Sequence, residues 1–322
     1  MLLIMAASGG LKFAYLILED TSSHDAKLYY YYGKELAEHY TLPKEAKFLH
    51  NIGFPIFLAG VFKILDYPYD ESILIQKAST IILSLFLIPL VYLFLRNWFE
   101  SKYSVIGSVL IGLDPRMIQN SAFGITEPLY LILFVSTLIF VLRDNKILNY
   151  FAFVVAGLAS VVRLEGLVLL PIIFIILYSR GKLKATLPAV MLFVIPLLII
   201  SLFFMSSVGK DNIASQLIKE YGIISNSNNF LPKLANSIVY FSWFTFPMLV
   251  FFIPFGLWCI IKDRLFLLFF LIIISASTGL WAYFDAFDTR YFFHTYPFLL
   301  IVTLYGMRYL FDSRLLRNTY KV

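Results

Sequence analysis

The sequence predicts an all-α membrane protein: a polytopic bundle of about ten transmembrane helices, with an interfacial helical loop on the outer face after the first span. Of the 322 residues, 60% are hydrophobic and 14% are charged, and the mean hydropathy of +0.81 is far above that of a soluble domain. Apolar runs of roughly twenty residues recur along almost the whole chain, and each can cross a hydrocarbon core about 30 Å thick as a helix. We therefore expect one membrane-embedded domain over residues 1–322 and no soluble domain.

Ten apolar segments are the predicted spans. They cover residues 2–18, 73–95, 103–113, 128–142, 147–162, 167–178, 185–204, 238–261, 265–283 and 292–307. The first is interpreted as a span and not as a signal peptide, because it lacks a basic amino-terminal region and a cleavage site and carries Lys12 in its middle. The single cysteine, Cys259, lies inside an apolar run, which excludes an intramolecular disulfide and a cysteine metal cluster.

The distribution of basic residues predicts the orientation of the chain. Five segments between or after alternate spans hold 13 of the 26 Lys and Arg residues but only 4 of the 20 Asp and Glu residues: 96–102, 143–146, 180–184, 262–264 and the tail from 308. The positive-inside rule places these segments and both termini in the cytoplasm, and the acid-bearing loops on the outer or lumenal face. The net charge of +6 is explained by this placement and does not indicate nucleic-acid binding.

Two outer loops are expected, at residues 19–71 and 205–236. Segment 51–65 within the first is apolar, but one more span there would invert every later loop, so we assign it to a helix lying in the outer interface. The second loop is either a lid over a site or a solvated connector. Polar residues on the outer face also occur at 114–127, 163–165 and 285–290, each predicted to be a turn, and one active site can gather them all.

Residues 24–39 predict an amphipathic helix in the first outer loop. Asp25, Tyr29, Tyr32 and Leu36 fall on one face at helical spacing. A serine at 22 or 23 can cap its start, and an acid in the first turn suits the helix dipole. From the residues alone, Asp25 is either a chemical group or a helix-capping acid, and the tyrosines are explained by an aromatic belt at the membrane surface. Residues Tyr291, His294 and Tyr296 are also interpreted as belt residues.

A series of short motifs lies along the predicted outer face of the chain. Asp25-Ala-Lys-Leu-Tyr29 and the following Gly33-Lys-Glu-Leu-Ala37 resemble the first outer loop of the GT-C membrane glycosyltransferases, and more closely that of the branch containing protein O-mannosyltransferases and the lipid A aminoarabinose transferase. Further motifs follow in the order that the family shows: Asn51-Ile-Gly-Phe-Pro55, Asp114-Pro115, Thr126-Glu127-Pro-Leu-Tyr130, Arg163-Leu-Glu-Gly166 and Asp288-Thr-Arg-Tyr291. The family usually has an adjacent acidic pair in the first loop. Here Asp25 precedes Ala26, and a separate Glu19-Asp20 pair lies upstream.

The resemblance implies transfer of a sugar from a polyprenyl- or dolichyl-phosphate donor to an acceptor hydroxyl on the outer or lumenal face. It implies that Asp25, or Asp20 in its place, is the base of a single inverting displacement, and that Glu127 positions the acceptor or a cation. The acceptor is a protein, a glycolipid or a polysaccharide. The expected partners are therefore the lipid-linked sugar, membrane lipid and that acceptor, with no nucleic acid.

Two arginines are the candidates for binding the donor phosphate. Arg163 and Arg290 lie at span ends, and an arginine fork matches a pair of phosphate oxygens better than a lysine does. Each can instead pair with a neighbouring acid, Arg163 with Glu165 and Arg290 with Asp288. With Tyr29 and Tyr291, these acids are the supporting residues of the predicted site.

A divalent cation, Mg²⁺ or Mn²⁺, is left open as a cofactor. Its candidate ligands are His24, Asp25 and Asp114, although no pair of histidines in the first outer loop has the i, i+4 spacing of a helical metal site.

Two other functions stay open. A secondary transporter or lipid flippase is favoured by Lys12 and by prolines within spans, but the acids lie at span ends and no internal repeat is present. A non-catalytic GT-C-like scaffold is the third, because the chain is short for the family.

Overall fold

The computed structural model describes residues 1–18, 24–43, 51–65, 72–182, 187–208, 247–263, 267–268, 271–275 and 293–312. Within these ranges the chain forms helices and no strand, so the predicted all-α class is confirmed. The described helices are α1 (Leu2–Leu18), α2 (His24–His39), α3 (Gly53–Leu65), α4 (Ser72–Leu95), α5 (Ser101–Gly112), α6 (Pro115–Ala122), α7 (Glu127–Leu142), α8 (Lys146–Val162), α9 (Leu169–Ser179), α10 (Val190–Val208), α11 (Pro247–Lys262) and α12 (Tyr296–Phe311). Short 3₁₀ turns precede α9 (Leu164–Val168) and α10 (Leu187–Ala189).

Among the residues that the structure describes, two helical segments are long and apolar enough to cross a membrane: Ile73–Leu95 of α4 and Val190–Ser207 of α10. Other apolar helices in the described part have 10–17 residues, which is shorter than a typical span. The number of ten spans and the orientation of the chain therefore stay predictions. The surface of α10 is apolar, with Ile199 and Leu202 59% and 65% exposed, as expected of a helix that faces lipid.

The centre of the bundle is formed by α4, α7, α8 and α12, with α10 packed on α8 and α11 on α12. Three buried phenylalanines connect these helices. The ring of Phe298 on α12 packs edge-on against Phe134 on α7 and Phe94 on α4, with centroid distances of 6.3 and 6.4 Å. Because all three side chains are fully buried, this contact fixes the spacing of the helices whose ends carry the polar residues.

The predicted helix at 24–39 is present as α2, and it packs on α3. Tyr29, Tyr32 and Leu36 are buried, whereas Tyr31 is 46% exposed, which confirms the predicted apolar face. Tyr29 packs edge-on against Phe54 of α3, with the ring centroids 5.5 Å apart. This contact makes α2 and α3 one unit on the end of the bundle.

Residues 114–127 contain a helix that was predicted only as a turn. Asp114 caps α6: its Oδ1 accepts from the backbone N–H of Arg116 and Met117, at 2.9 and 3.0 Å. Pro115 takes the first helical position, where its missing N–H costs nothing. The Asp-Pro pair is a helix-start signature, so this helix was detectable in the sequence.

Candidate active site

Arg163 is the centre of a buried polar cluster at the end of the bundle that was predicted to be the outer one. It follows the last residue of α8, and its extended backbone turns the chain out of the helix. Its Nη1 donates to Glu127 Oε1 at 2.7 Å and to Thr126 Oγ1 at 3.0 Å. Its Nη2 donates to Glu165 Oε1, also at 2.7 Å. The guanidinium therefore joins the start of α7 to the turn after α8. We call Thr126, Glu127, Arg163 and Glu165 the arginine cluster.

The arginine cluster holds one positive and two negative charges in a nearly dry environment. The side chains of Glu127, Arg163 and Glu165 are 0%, 6% and 9% exposed. Burial alone would raise the pKa of Glu165, yet the charge and hydrogen bonds of Arg163 hold that pKa below its ordinary value. Burial also opposes the charge on Arg163, but the two carboxylates outweigh it and keep the arginine pKa above its ordinary value. Glu165 and Arg163 are thus held in their charged forms.

Two glycines fix the position of Arg163 by packing on the last turn of α8. A Cβ atom on Gly53, at the start of α3, would lie 2.9 Å from the backbone of Val161. A Cβ atom on Gly166 would lie 2.6 Å from the backbone of Ala159 and Ser160. No ordinary side chain fits at such distances, so only glycine lets the two segments approach α8 this closely. The turn after α8 is thereby held against the helix that it leaves.

Tyr29 connects the first outer loop to the arginine cluster. Its hydroxyl accepts a hydrogen bond of 2.8 Å from Asn51 Nδ2. Burial raises the pKa of Tyr29, the Asn51 bond and the charge of Arg163 oppose this, and the charges of Glu127 and Asp25 add to it. The charges of Asp25, Glu127 and Arg163 therefore all act on this one hydroxyl. Because α2 packs on α3 and Gly53 of α3 contacts the last turn of α8, the first outer loop and the turn after α8 lie at the same end of the bundle.

His294 and Tyr296 are not belt residues, so that prediction was wrong for both. They are 1% and 0% exposed, because residues 293–296 lie inside the bundle. The Nε2 of His294 donates a hydrogen bond of 2.8 Å to the carbonyl oxygen of Ser275, and a protonated His294 would lower the pKa of Glu165. His294 therefore belongs to the surroundings of the arginine cluster. Sequence reasoning missed it, since a histidine among aromatic residues at a span end is typical of a belt.

The described residues do not contain three His, Cys, Asp or Glu side chains grouped so that they could hold a metal ion. The candidate ligands His24, Asp25 and Asp114 thus do not form a site. His24 is exposed, and the carboxylate of Asp114 caps α6 with one oxygen and accepts from the Tyr296 hydroxyl at 2.9 Å with the other. Burial raises the pKa of Asp114, and these hydrogen bonds and the nearby Arg116 oppose that effect.

The structure brings Glu127, Arg163 and Glu165 into direct contact, and the charges of Asp25, Glu127 and Arg163 act on the Tyr29 hydroxyl. The roles of these residues in a reaction stay predictions. Four further predicted site residues lie outside the described residues: Asp20, Asp288, Arg290 and Tyr291.

Solved structures with a similar fold are those of the oligosaccharyltransferase AglB from Archaeoglobus fulgidus. The apo form aligns over 99% of this chain and 51% of its own, with a TM-score of 0.59 and 14% identity. AglB is a GT-C superfamily glycosyltransferase. This chain has the same fold. The likeness confirms the fold that the predicted superfamily implies, while the mannosyltransferase and aminoarabinose transferase branch stays a prediction.

Other structures of the same archaeal protein are similar to this chain in fold. A complex with an inhibitory peptide and a dolichol-phosphate gives a TM-score of 0.57 at 12% identity, over 99% of this chain and 51% of that one. A complex with Zn and sulfate gives 0.56 at 14% identity, over 98% and 50%. The chain thus spans about half the length of these structures. No protein-family model and no curated protein matches the sequence.

Proposed function

We propose that this chain is a glycosyltransferase that moves a sugar from a polyprenyl- or dolichyl-phosphate donor to an acceptor hydroxyl. The observation that carries the proposal is the buried Glu127–Arg163 pair at one end of a GT-C-like bundle on which α2, with Asp25 in its first turn, also packs. A similar structure contains dolichol-phosphate, which supports a lipid phosphate as the carrier of the sugar. The proposed site lies on the outer or lumenal face of a multi-pass membrane protein whose termini are cytoplasmic.

The proposed reaction is one displacement at the anomeric carbon of the donor. The carboxylate of Asp25 takes the proton of the acceptor hydroxyl, and the acceptor oxygen forms a bond to the anomeric carbon. The bond from that carbon to the phosphate oxygen breaks, and its electron pair leaves with the lipid phosphate. The configuration of the sugar is inverted, because attack and departure occur on opposite faces. Asp20 is the alternative base.

The contacts of Arg163 favour a change in its proposed role. All three of its guanidinium nitrogens donate to protein oxygens, including the 3.4 Å contact from Nε to Glu165 Oε2. A phosphate would have to displace a buried carboxylate to bind there, which is costly. We therefore propose that Arg163 holds Glu127 in place to orient the acceptor, and that Arg290 is the cation that stabilises the departing phosphate. Tyr29, Asp288 and Tyr291 support these groups.

A divalent cation stays a possible cofactor of this reaction, yet the described residues do not fit one. They offer no group of three suitable ligands, and both glutamates at the site already bind Arg163. No step above depends on a metal. Activity with and without a chelator tests this point, and a loss of more than about tenfold on chelation would require ligands from outside the described residues.

Transfer is tested with purified protein in liposomes that contain a radiolabelled polyprenyl-phosphate sugar and candidate acceptors. Asp25→Asn keeps the shape of the side chain but removes the base, so transfer is expected to fall by about 10²-fold or more. Protein level and donor binding should stay near those of the wild type. Glu35→Gln is the matched control, because it neutralises an acid on the same helix that the mechanism does not use.

Three results would contradict the proposal or part of it. Full transfer by Asp25→Asn together with loss in Asp20→Asn would move the base to Asp20. Exchange of labelled donor across the liposome membrane, without a covalent product, would identify a transporter or flippase. If the protein binds the donor but neither transfers the sugar to any acceptor nor hydrolyses it slowly, it is a non-catalytic scaffold.

A further inference from the structure

Gln76 is a buried polar residue of α4 that no step of the proposed reaction uses. It is 0% exposed. Its Nε2 donates to the carbonyl oxygen of Ala26 at 2.9 Å and to that of Gly124 at 2.6 Å. A carboxamide nitrogen carries two hydrogens, so each carbonyl receives one of them. One side chain therefore bridges two segments that are far apart in the sequence.

Both bridged segments carry an acid of the proposed mechanism. Ala26 is the residue after Asp25 in the first turn of α2, and Gly124 lies three residues before Glu127 at the start of α7. Carbonyl oxygens only accept, so the nitrogen of the amide, and not its oxygen, must face them. The geometry of the two bonds thus ties the backbone next to Asp25 to the turn that leads into Glu127.

The amide oxygen of Gln76 indicates what this residue contributes. Within the described part of the chain, Gln76 Oε1 is buried and has no hydrogen-bond partner. A buried acceptor without a partner destabilises a fold, so a residue present only for stability would be replaced by an apolar one at little cost. The two donated bonds are the feature that an apolar residue cannot supply.

Gly124 is adapted to this bridge. Its φ of +74° lies in the left-handed region that favours glycine. A Cβ atom there would lie 3.1 Å from Gln76 Cγ and 3.3 Å from Gln76 Nε2. Glycine therefore provides both the backbone turn and the space that bring its carbonyl within reach of the amide.

We propose that Gln76 is a positioning residue, which sets the place of Asp25 relative to Glu127 by bridging their backbones. This inference rests on the proposed function, because that function gives the two acids their roles. Gln76 itself touches neither acceptor nor donor. Its removal changes the geometry of the reacting groups, and a displacement of about 1 Å can lower a rate by about 10²-fold.

The kinetic test compares Gln76→Leu with Thr80→Val in liposomes with a polyprenyl-phosphate sugar. Thr80 is the matched control: one turn along α4, its Oγ1 donates to the carbonyl oxygen of Ser121 at 2.6 Å, which anchors α6 but not α2. In Gln76→Leu we expect kcat to fall by about 10- to 100-fold while KM for the donor stays within roughly threefold. Thr80→Val should keep kcat within about threefold of the wild type.

Hydrogen exchange provides a readout that does not depend on activity. In Gln76→Leu, backbone amides in the first turns of α2 are expected to exchange about fivefold faster or more, since the bond to Ala26 is lost. Thr80→Val should leave them unchanged. If the wild type transfers no sugar, this difference between the two variants still supports the bridge while the proposed function fails.

Two outcomes would overturn the positioning role. One is unchanged exchange in α2 together with a normal kcat in Gln76→Leu. The other is an equal fall of kcat in Thr80→Val, which would point to general loosening of this end of α4. If Gln76→Leu does not fold, Gln76→Met replaces it: the side chain keeps nearly the same length and is unbranched at Cβ and Cγ, but it has no N–H to donate to either carbonyl, and the same changes in kcat and exchange are expected.

Discussion

Two buried clusters of charge lie at helix ends in this molecule, and they use their acids differently. In the arginine cluster, Glu127 and Glu165 share one guanidinium, which leaves one negative charge in excess. In the second, which we call the aspartate cluster, Asp114 accepts from two backbone N–H groups of α6 and from the hydroxyl of Tyr296. Lys12 of α1, 1% exposed, completes the aspartate cluster, since its charge is attracted by Asp114.

The comparison shows that burial of an acid does not by itself indicate chemistry. Both oxygens of Asp114 are occupied by bonds that build the fold, and its helix starts there. The acids of the arginine cluster are instead held by a side chain that also acts on Tyr29, close to Asp25. We therefore expect changes in the aspartate cluster to lower stability, and changes in the arginine cluster to lower stability and transfer together.

The largest effect is expected from Arg163→Gln. This change leaves Glu127 and Glu165 buried beside each other without a positive charge, which should lower the free energy of unfolding by about 3–5 kcal/mol. Denaturant unfolding in detergent measures it. Arg143→Gln, at an exposed arginine after α7, is the control and should stay within about 0.5 kcal/mol. A small effect at 163 would mean that the two glutamates are not charged in the folded protein.

Asp114→Ala is expected to lower the free energy of unfolding by less than Arg163→Gln does, and to leave the rate of transfer unchanged. It removes the cap of α6 and the partner of the Tyr296 hydroxyl, for a total of about 2–4 kcal/mol. The kcat of the protein that remains folded should match the wild type within about threefold. A fall of kcat as large as that of Asp25→Asn would place Asp114 in the mechanism and end the distinction between the two clusters.

The two clusters should also respond to pH in opposite directions. The pKa of Glu165 is lowered in the fold, so its contribution is present above the ordinary value of 4.5 and is lost as pH falls through the folded pKa. The pKa of Asp114 is raised, so its contribution is full below the ordinary value of 3.8 and is lost as pH rises through the folded pKa. The free energy of unfolding is measured against pH in Glu165→Gln and in Asp114→Asn. Glu165→Gln should remove the loss of stability at low pH, and Asp114→Asn should remove the loss of stability as pH rises. Identical profiles for the two variants would refute the assignment.

The smallest expected effects come from a matched pair of hydroxyl deletions. Tyr296→Phe removes the hydrogen bond that the Tyr296 hydroxyl donates to Asp114, and Tyr29→Phe removes the one that Asn51 donates to the Tyr29 hydroxyl. Each change should lower the free energy of unfolding by about 1 kcal/mol. Only Tyr29→Phe should lower kcat, by a few-fold to about tenfold, because the charges of Asp25, Glu127 and Arg163 all act on the hydroxyl that it removes. Equal kinetics in the two variants would show that Tyr29 is structural.

Part of this site was predictable from the sequence. Asp25, Glu127 and Arg163 were placed on one face by the alternation of basic turns, and Glu165 was recognised as a partner of Arg163. The second partner, Glu127, lies 36 residues from Arg163, and that pairing depends on how α7 packs against α8. Such packing leaves no periodic signal in a continuous apolar run.

Gln76 and α6 were missed for different reasons. Gln76 is one amide in a long apolar helix, and its partners are backbone carbonyls. Because every residue has a backbone carbonyl, no pattern of side chains in the sequence predicts which ones Gln76 contacts. The helix after Asp114 did have a signal, the Asp-Pro start, but its eight residues were too few for an apolar period to stand out.

The close packing of Gly53 and Gly166 on the end of α8 has a consequence for how this protein can vary between species. A single added methyl group at either position would move the arginine without altering any charge. We therefore expect inherited substitutions at these two glycines to be as harmful as those at Arg163 itself. Much of the apolar surface of α10, by contrast, should drift freely among residues of similar hydrophobicity.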